Sequence, residues 1–203
     1  MRGRDPEVAG ILLAAGNATR FGGKKLLHPL PDGVPVGIAA AANLGRAIRK
    51  TIAVVRQADV ALTEPLRTLG FDVVVNSRAD MGIGTSIAAG VGAAGDAAGW
   101  LIALADMPWI DPVTIREAGS RLAAGASVVA PVYEGKRGHP VGFSRNWCDQ
   151  LLALSGDRGA QGLVAAAGGE VELFDSQDPG VLLDVDHPRD VSRRDAQLFR
   201  YEK

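Results

Sequence analysis

Short apolar runs at residues 8–13, 51–56, 72–75 and 100–105 alternate with longer stretches of helical spacing at 37–49, 59–69 and 84–94. This alternation constrains the fold more than any other feature of the chain. A strand that is apolar along its whole length has no polar face to give to water, so it needs cover on both sides. Such strands joined by helices form a parallel sheet, and the right-handed crossover rule puts helices on both of its faces. The expectation is a Rossmann-like, doubly wound, mostly parallel sheet in three layers, α/β/α. Ligands of such sheets bind beyond the carboxyl ends of the strands, so the loops after Leu13, Val75 and Ala105 are expected to converge on one crevice.

The second half is less regular. Helices are expected at 112–124, where Pro112 suits a first turn, and at 149–154, 160–167 and 188–199, with strands at 127–132, 141–143, 171–174 and 181–185. No repeat or linker divides the chain, so residues 1–203 are expected to form a single domain, with the polar residues 1–7 flexible. Apolar residues, at 47%, supply a core, and the net charge of -1 removes the simplest argument for a nucleic-acid or anionic-membrane partner. One cysteine, Cys148, excludes an intrachain disulfide and a cysteine-based zinc cage. The apolar stretch 8–15 is too short to span a bilayer, and a soluble, cytoplasmic protein is expected.

Several segments carry residues suited to chemistry. Leu13-Ala14-Ala15-Gly16-Asn17-Ala18-Thr19-Arg20-Phe21-Gly22-Gly23-Lys24-Lys25 leaves a buried strand and puts glycines, an arginine and two lysines in one loop. Glycine lets backbone N–H groups approach a polyphosphate, Arg20 can give it two parallel hydrogen bonds, and Lys25 offers a compact charge. The spacing matches neither the P-loop nor the dinucleotide fingerprint, and an ordinary surface loop would have similar composition. Asp106, at the carboxyl end of the fourth strand, is placed either to hold a divalent ion or to cap the next turn. From Asn76 to Gly90 a loop enters a helix near Gly84, where Thr85 and Ser86 serve as caps or meet an anion. Three further segments follow: Lys136-Arg137-Gly138-His139-Pro140-Val141, Gly156-Asp157-Arg158-Gly159-Ala160-Gln161, and Leu183-Asp184-Val185-Asp186-His187-Pro188-Arg189-Asp190.

In this order, and over about residues 8–190, these segments resemble the molybdenum cofactor nucleotidyltransferase family. The first loop is similar to its L-A-[AG]-G-x-[ST]-x-R-[MF]-G-x-x-K signature, with Ala18 where Ser or Thr is usual. Asp106-Met107-Pro108 is similar to D-[MQ]-P, and the other segments to N-x-x-x-x-x-G-x-x-x-S-[LI]-x-x-G, G-H-P-V, G-D-x-G-[AV]-R and D-[IV]-D-[TY]-P-x-D. Gln161 stands where arginine is usual, and a neutral amide does not replace a bidentate cation. The resemblance implies a nucleotidyltransferase using Mg²⁺ or Mn²⁺. Its catalytic residues would be Arg20, Lys25 and Asp106, and its metal ligands Asp106 and Asp186. Leu13, Ala14, Ala15, Gly16, Arg20, Lys25, Asn76, Gly82 and Ser86 would contact the nucleotide, and Gly138 and His139 the phosphorylated acceptor. Arg137 and Arg158 are the neighbouring cations available to a phosphate.

Within that family the Ala14-Ala15 doublet resembles the cytidylyl branch, since a glycine in place of alanine leaves more room for a purine. The implied reaction is transfer of CMP from CTP to molybdopterin, with release of pyrophosphate and a molybdoenzyme as eventual recipient of the product. Guanylyl transfer to the same cofactor and nucleotidyl transfer to a sugar or polyol phosphate remain as alternatives. A non-catalytic nucleotide-binding accessory protein that inserts the cofactor is the alternative of another class.

Overall fold

The structure is a computed structural model that describes residues 7–16, 21 and 23–192. Strand β1 (Val8–Ala14) leads into α1 (Val36–Ala47), β2 (Lys50–Val55), α2 (Val60–Thr68), β3 (Asp72–Val75), α3 (Ile83–Ala93) and β4 (Gly99–Leu104). Then come α4 (Pro112–Ala123), β5 (Val128–Tyr133), β6 (Lys136–Arg137), β7 (Val141–Ser144), α5 (Cys148–Leu152), α6 (Gln161–Ala167) and β8 (Val171–Asp175). The eight strands form one sheet in the order β3-β2-β1-β4-β7-β5-β6, with β8 on the other side of β5. Strands β1 to β4 are mutually parallel. β7 runs antiparallel to both β4 and β5, and β8 is parallel to β5.

Side-chain alternation along β1 divides the core. Leu12 and Ala14 face a layer built on α1, α2 and α4, with Leu44, Leu66, Ile115 and Leu122. Ile11, Leu13 and Ala15 face the opposite layer, with Ile87 and Val91 of α3 and Leu151 of α5. This is the mostly parallel three-layer arrangement that the apolar runs require. α4 starts as its sequence suggests, with Pro112 in the first turn and the Asp111 carboxylate accepting from Val113 N–H.

Three expectations are corrected. Residues 181–185 do not join the sheet. A 3-10 turn occupies Pro179–Leu182, and the chain then crosses the strand ends, with the Val181 carbonyl accepting from His139 N–H and Val185 N–H donating to the Asp106 carbonyl. Asp178 sets this course, because its carboxylate accepts from both Gly180 and Asp111 N–H groups and so bends the chain away from β8. Lys136–Arg137 pairs with β5 as a short strand. Glu7, expected to be flexible, is tied down by its carbonyl to Ala98 N–H and by its carboxylate to Arg49. Residues 1–6 lie outside the described residues. The helix expected at 188–199 is a 3-10 turn at Pro188–Ser192, beyond which the chain is not described. Among the described residues no helix is long and apolar enough to cross a membrane.

Candidate active site

Lys25 opens a 3-10 turn whose preceding residue, Lys24, is in the left-handed region (φ 42°). Its ammonium reaches Asp106 Oδ2 at 2.7 Å and Asp186 Oδ1 at 3.4 Å. The three residues come from widely separated stretches of chain, and two backbone features hold them together. The Val185 N–H bond to the Asp106 carbonyl pins the acidic segment beside the end of β4. Asp190, only 1% exposed, accepts from the N–H groups of Asp186 and His187 and so fixes the turn that carries Asp186. Burial alone would push the Lys25 ammonium down, but the carboxylates of Asp106 and then Asp186 outweigh it and hold the group above its ordinary value. Nearby, burial followed by the charges of Asp186 and Asp106 raises the Asp184 carboxyl.

Beside this cluster lies a pocket of about 410 Å³ lined by Leu13, Ala15, Gly16, Gly82, Ser86 and Asp106, together with Arg56, Asp80 and Asp157. Most of the residues singled out for a nucleotide in the sequence thus share one cavity at the carboxyl ends of β1 and β4. Ala14 is an exception, since it is fully buried and turned into the opposite layer. Asn76 lies beneath the wall. Its amide donates to Thr85 Oγ1 (2.9 Å) and Ser86 Oγ (3.0 Å), and its Oδ1 accepts from Arg78 N–H. Asn76 therefore orients the hydroxyls at the start of α3. Arg20, with Asn17, Ala18, Thr19 and Gly22, lies outside the described residues.

Gly82 has φ of 106°, and a Cβ there would overlap the Gly156 carbonyl and the Asp157 carboxylate. The 156–159 turn can lie across the start of α3 only because residue 82 has no side chain, and Gly84 N–H donates to the Gly156 carbonyl at 3.0 Å. Docked this way, Asp157 lines both the first pocket and an adjoining apolar chamber of about 210 Å³. Ile83, Ile87, Ile102, Val141, Phe143 and Val164 wall this chamber, and His139, Arg137, Arg158 and Gln161 meet there too. His139 precedes a cis peptide bond to Pro140. Burial, with a smaller push from Arg137, lowers the His139 pKa against the attraction of Asp106. Gly138 is buried, and its missing side chain makes room for Val181, so its place is in packing. A wider depression of about 900 Å³ lies on the α1 and α4 side, lined by Asn43, Trp109, Tyr133, Ser176 and Asp178 among others.

Sequence reasoning missed Arg56 and Asp80 as pocket residues. Arg56 carried a usable signal, for it follows the carboxyl end of a parallel strand just as Asp106 does. Asp80 reaches the wall through the loop that links β3 to α3, where it stands at an unspecified position of the N-x-x-x-x-x-G pattern.

A mostly parallel sheet with a lysine and two carboxylates gathered at its strand ends, beside a glycine-lined pocket, defines an α/β protein of the nucleotidyltransferase class. Residues 10–171 match the MobA-like NTP transferase domain, and the chain belongs to that family as a nucleotidyltransferase of the MobA-like type. It is 30% identical over 190 residues, 89% of this chain and 93% of the relative, to the nicotine blue oxidoreductase of Paenarthrobacter nicotinovorans. Among solved structures it resembles the Rv0371c protein of Mycobacterium tuberculosis in complex with manganese, with 28% identity, a TM-score of 0.75 and coverage of 92% and 97% of the two chains. A nucleotidyl transferase from Methanothermobacter thermautotroptrophicus shares the fold at 24% identity and a TM-score of 0.78, over 96% and 99%.

Proposed function

We propose that this chain, acting as a single domain, transfers CMP from CTP to the phosphate of molybdopterin and releases pyrophosphate. The observation that carries the reading is the convergence of Lys25, Asp106 and Asp186 at the edge of the glycine-lined pocket. In this reading Leu13, Ala15, Gly16, Gly82 and Ser86 hold the nucleotide, with Ala14 contributing backbone alone and Arg20 completing the loop. His139, with Arg137 and Arg158 nearby, faces the acceptor. The Ala15 side chain on the pocket wall favours a pyrimidine over a purine, although one methyl group gives limited discrimination.

The residues fit a divalent ion. Asp106 and Asp186 offer hard carboxylate oxygens to one point in space, now bridged by the Lys25 ammonium. Among the described residues there is no cluster of three or more His, Cys, Asp or Glu that would complete a metal cage. Such a donor set suits Mg²⁺ or Mn²⁺, which are held by one or two carboxylates with substrate phosphates and water filling the remaining positions. The relative solved with manganese supports this assignment. Bound there, the ion would offset the charge that grows on the transferred phosphate. Lys25 moves its hydrogen bonds from the carboxylates to the phosphate oxygens, orients the α-phosphorus and stabilises the departing pyrophosphate. No protein nucleophile is required, and the rate comes from positioning and fixed charge.

Pyrophosphate release with CTP, GTP or ATP, with Mg²⁺ and molybdopterin present, tests the reading beside an Asp106→Ala control. Release with CTP that the control abolishes supports it. Preference for GTP moves the chain to guanylyl transfer, and release only with a sugar or polyol phosphate as acceptor moves it to that chemistry. Binding of a triphosphate without release supports the accessory protein.

One observation favours a second reading. The relative with 30% identity is an oxidoreductase, and the apolar chamber next to the nucleotide pocket suits a flat conjugated ring. In that reading the first pocket holds a reduced nicotinamide dinucleotide, whose hydride passes to the ring while solvent supplies the proton. Loss of absorbance from the reduced dinucleotide in the presence of a conjugated dye, with no pyrophosphate release, would establish it.

A further inference from the structure

The charged pair at the far end of the nucleotide pocket takes no part in the chemistry described above. Arg56 follows β2, whose last residue, Val55, is paired with Ala14 of β1 and Val75 of β3. Its side chain turns across the strand ends. Nε donates to the Ala15 carbonyl at 3.0 Å, and a terminal nitrogen donates to the Asp80 carboxylate. A guanidinium has five N–H donors, so three remain for a ligand. The Arg56 side chain is 22% exposed and that of Asp80 85%. An ion pair so open to water contributes little to stability, and its place on a pocket wall points to recognition instead.

Strand order sets the scale of this pocket. Asp106 follows β4 and Arg56 follows β2, with β1 between them. Neighbouring strands lie about 4.8 Å apart, so the two strand ends are separated by about 10 Å across the sheet edge. A nucleotide with its phosphates at Lys25 and Asp106 lays its base against Arg56 and Asp80.

We propose that Arg56 and Asp80 read the edge of the base and select a ring-nitrogen acceptor beside an exocyclic amino donor, so that cytosine is bound in preference to uracil. The inference rests on the nucleotide-binding reading of the pocket. In cytosine the ring N3 accepts from Arg56, and the 4-amino group donates to the Asp80 carboxylate. In uracil the N3–H points at the Arg56 donors and the 4-oxo oxygen points at the carboxylate, so both contacts turn repulsive. Arg56 is held for this task by the Ala15 carbonyl, which fixes its donors relative to the phosphate loop.

Calorimetric titration of the full chain with CTP and with UTP, each with Mg²⁺, tests the assignment. Wild type is expected to bind CTP about 10-fold more tightly than UTP, because a mismatched edge leaves polar groups unpaired. Asp80→Asn, whose amide can face the base in either sense, is expected to lower that ratio to about 3-fold, the part that Arg56 retains, while the protein stays folded, since Asp80 is a surface residue. Arg56→Met is expected to weaken CTP about 10-fold and UTP much less. Equal losses for both nucleotides in Arg56→Met would mean that Arg56 only holds the loop through Ala15, and would overturn the proposal. A wild-type ratio near one, or a ratio that Asp80→Asn leaves unchanged, overturns it as well, even if GTP binds tightly. If folded wild type binds none of CTP, UTP, GTP or ATP, the nucleotide-binding reading itself fails and this inference falls with it.

Discussion

At the scale of single residues, Lys25 and His139 respond to pH in opposite ways. The Lys25 ammonium is raised above its ordinary value because Asp106 and Asp186 outweigh its burial. A raised group contributes stability that is fully present below its unfolded pKa of about 10.4 and is lost only as pH rises through the higher native value. Lys25 is therefore charged throughout the neutral range, and a pH–rate profile is expected to show no alkaline limb from it below about pH 10. Lys25→Ala is expected to lower kcat at least about 100-fold in the pyrophosphate assay, the usual cost of removing a fixed charge from a developing anion. His139 is lowered, mainly by burial. Its contribution is present above the unfolded pKa of about 6.5 and is lost as pH falls through the lower native value, because the unfolded chain takes up the proton first. Thermal unfolding followed from pH 7.5 to 5 is expected to show a falling Tm, and His139→Gln is expected to flatten that slope. An unchanged slope in the variant would assign the acid sensitivity to other groups.

At the scale of elements, the turn at 156–159 and the start of α3 act as one piece. Gly82→Ala combines a φ of 106° with overlap onto the Gly156 carbonyl, so the turn must lift. The expected result is a loss of about 1–3 kcal/mol in urea unfolding together with weaker nucleotide binding. Asp190→Ala removes the acceptor for two N–H groups in a buried turn, and the expected cost is about 1–3 kcal/mol with a lower kcat as Asp186 loosens. These couplings also mark how far the sequence could be read. Strand apolarity and helical spacing gave the layered sheet, and the rule for strand ends brought Leu13, Gly82 and Asp106 to one edge. Side-chain direction was harder. Whether Ala14 or Ala15 meets the pocket depends on the register of β1, and whether Asn76 touches a ligand or only orients Ser86 depends on the depth of α3. The extended segment at 181–185 has the apolarity of a strand, yet Asp178 turns it across the strand ends, a tertiary effect with no local signature.

At the scale of the whole molecule, the two apolar layers meet the sheet at β4, where Trp100 is fully buried and its Nε1 donates to the Ala94 carbonyl at 3.1 Å. Trp100→Phe leaves a gap and removes one of the two hydrogen bonds that the Ala94 carbonyl accepts, the other coming from Ala97 N–H, and denaturant unfolding is expected to report a loss of about 2 kcal/mol or more. Tertiary signals from both layers should then disappear in one transition, since each layer packs on the same strands. The antiparallel β7, set between β4 and β5, has its own consequence. β5 leaves the ribosome before either of its long neighbours, β7 and β8, has been made, whereas β1 to β4 already have all their mutual partners. During synthesis the first four strands can therefore assemble with the outer side of β4 bare. Until residues 141–144 emerge, that bare side is open to another nascent chain, and this interval is when the growing polypeptide most needs a chaperone.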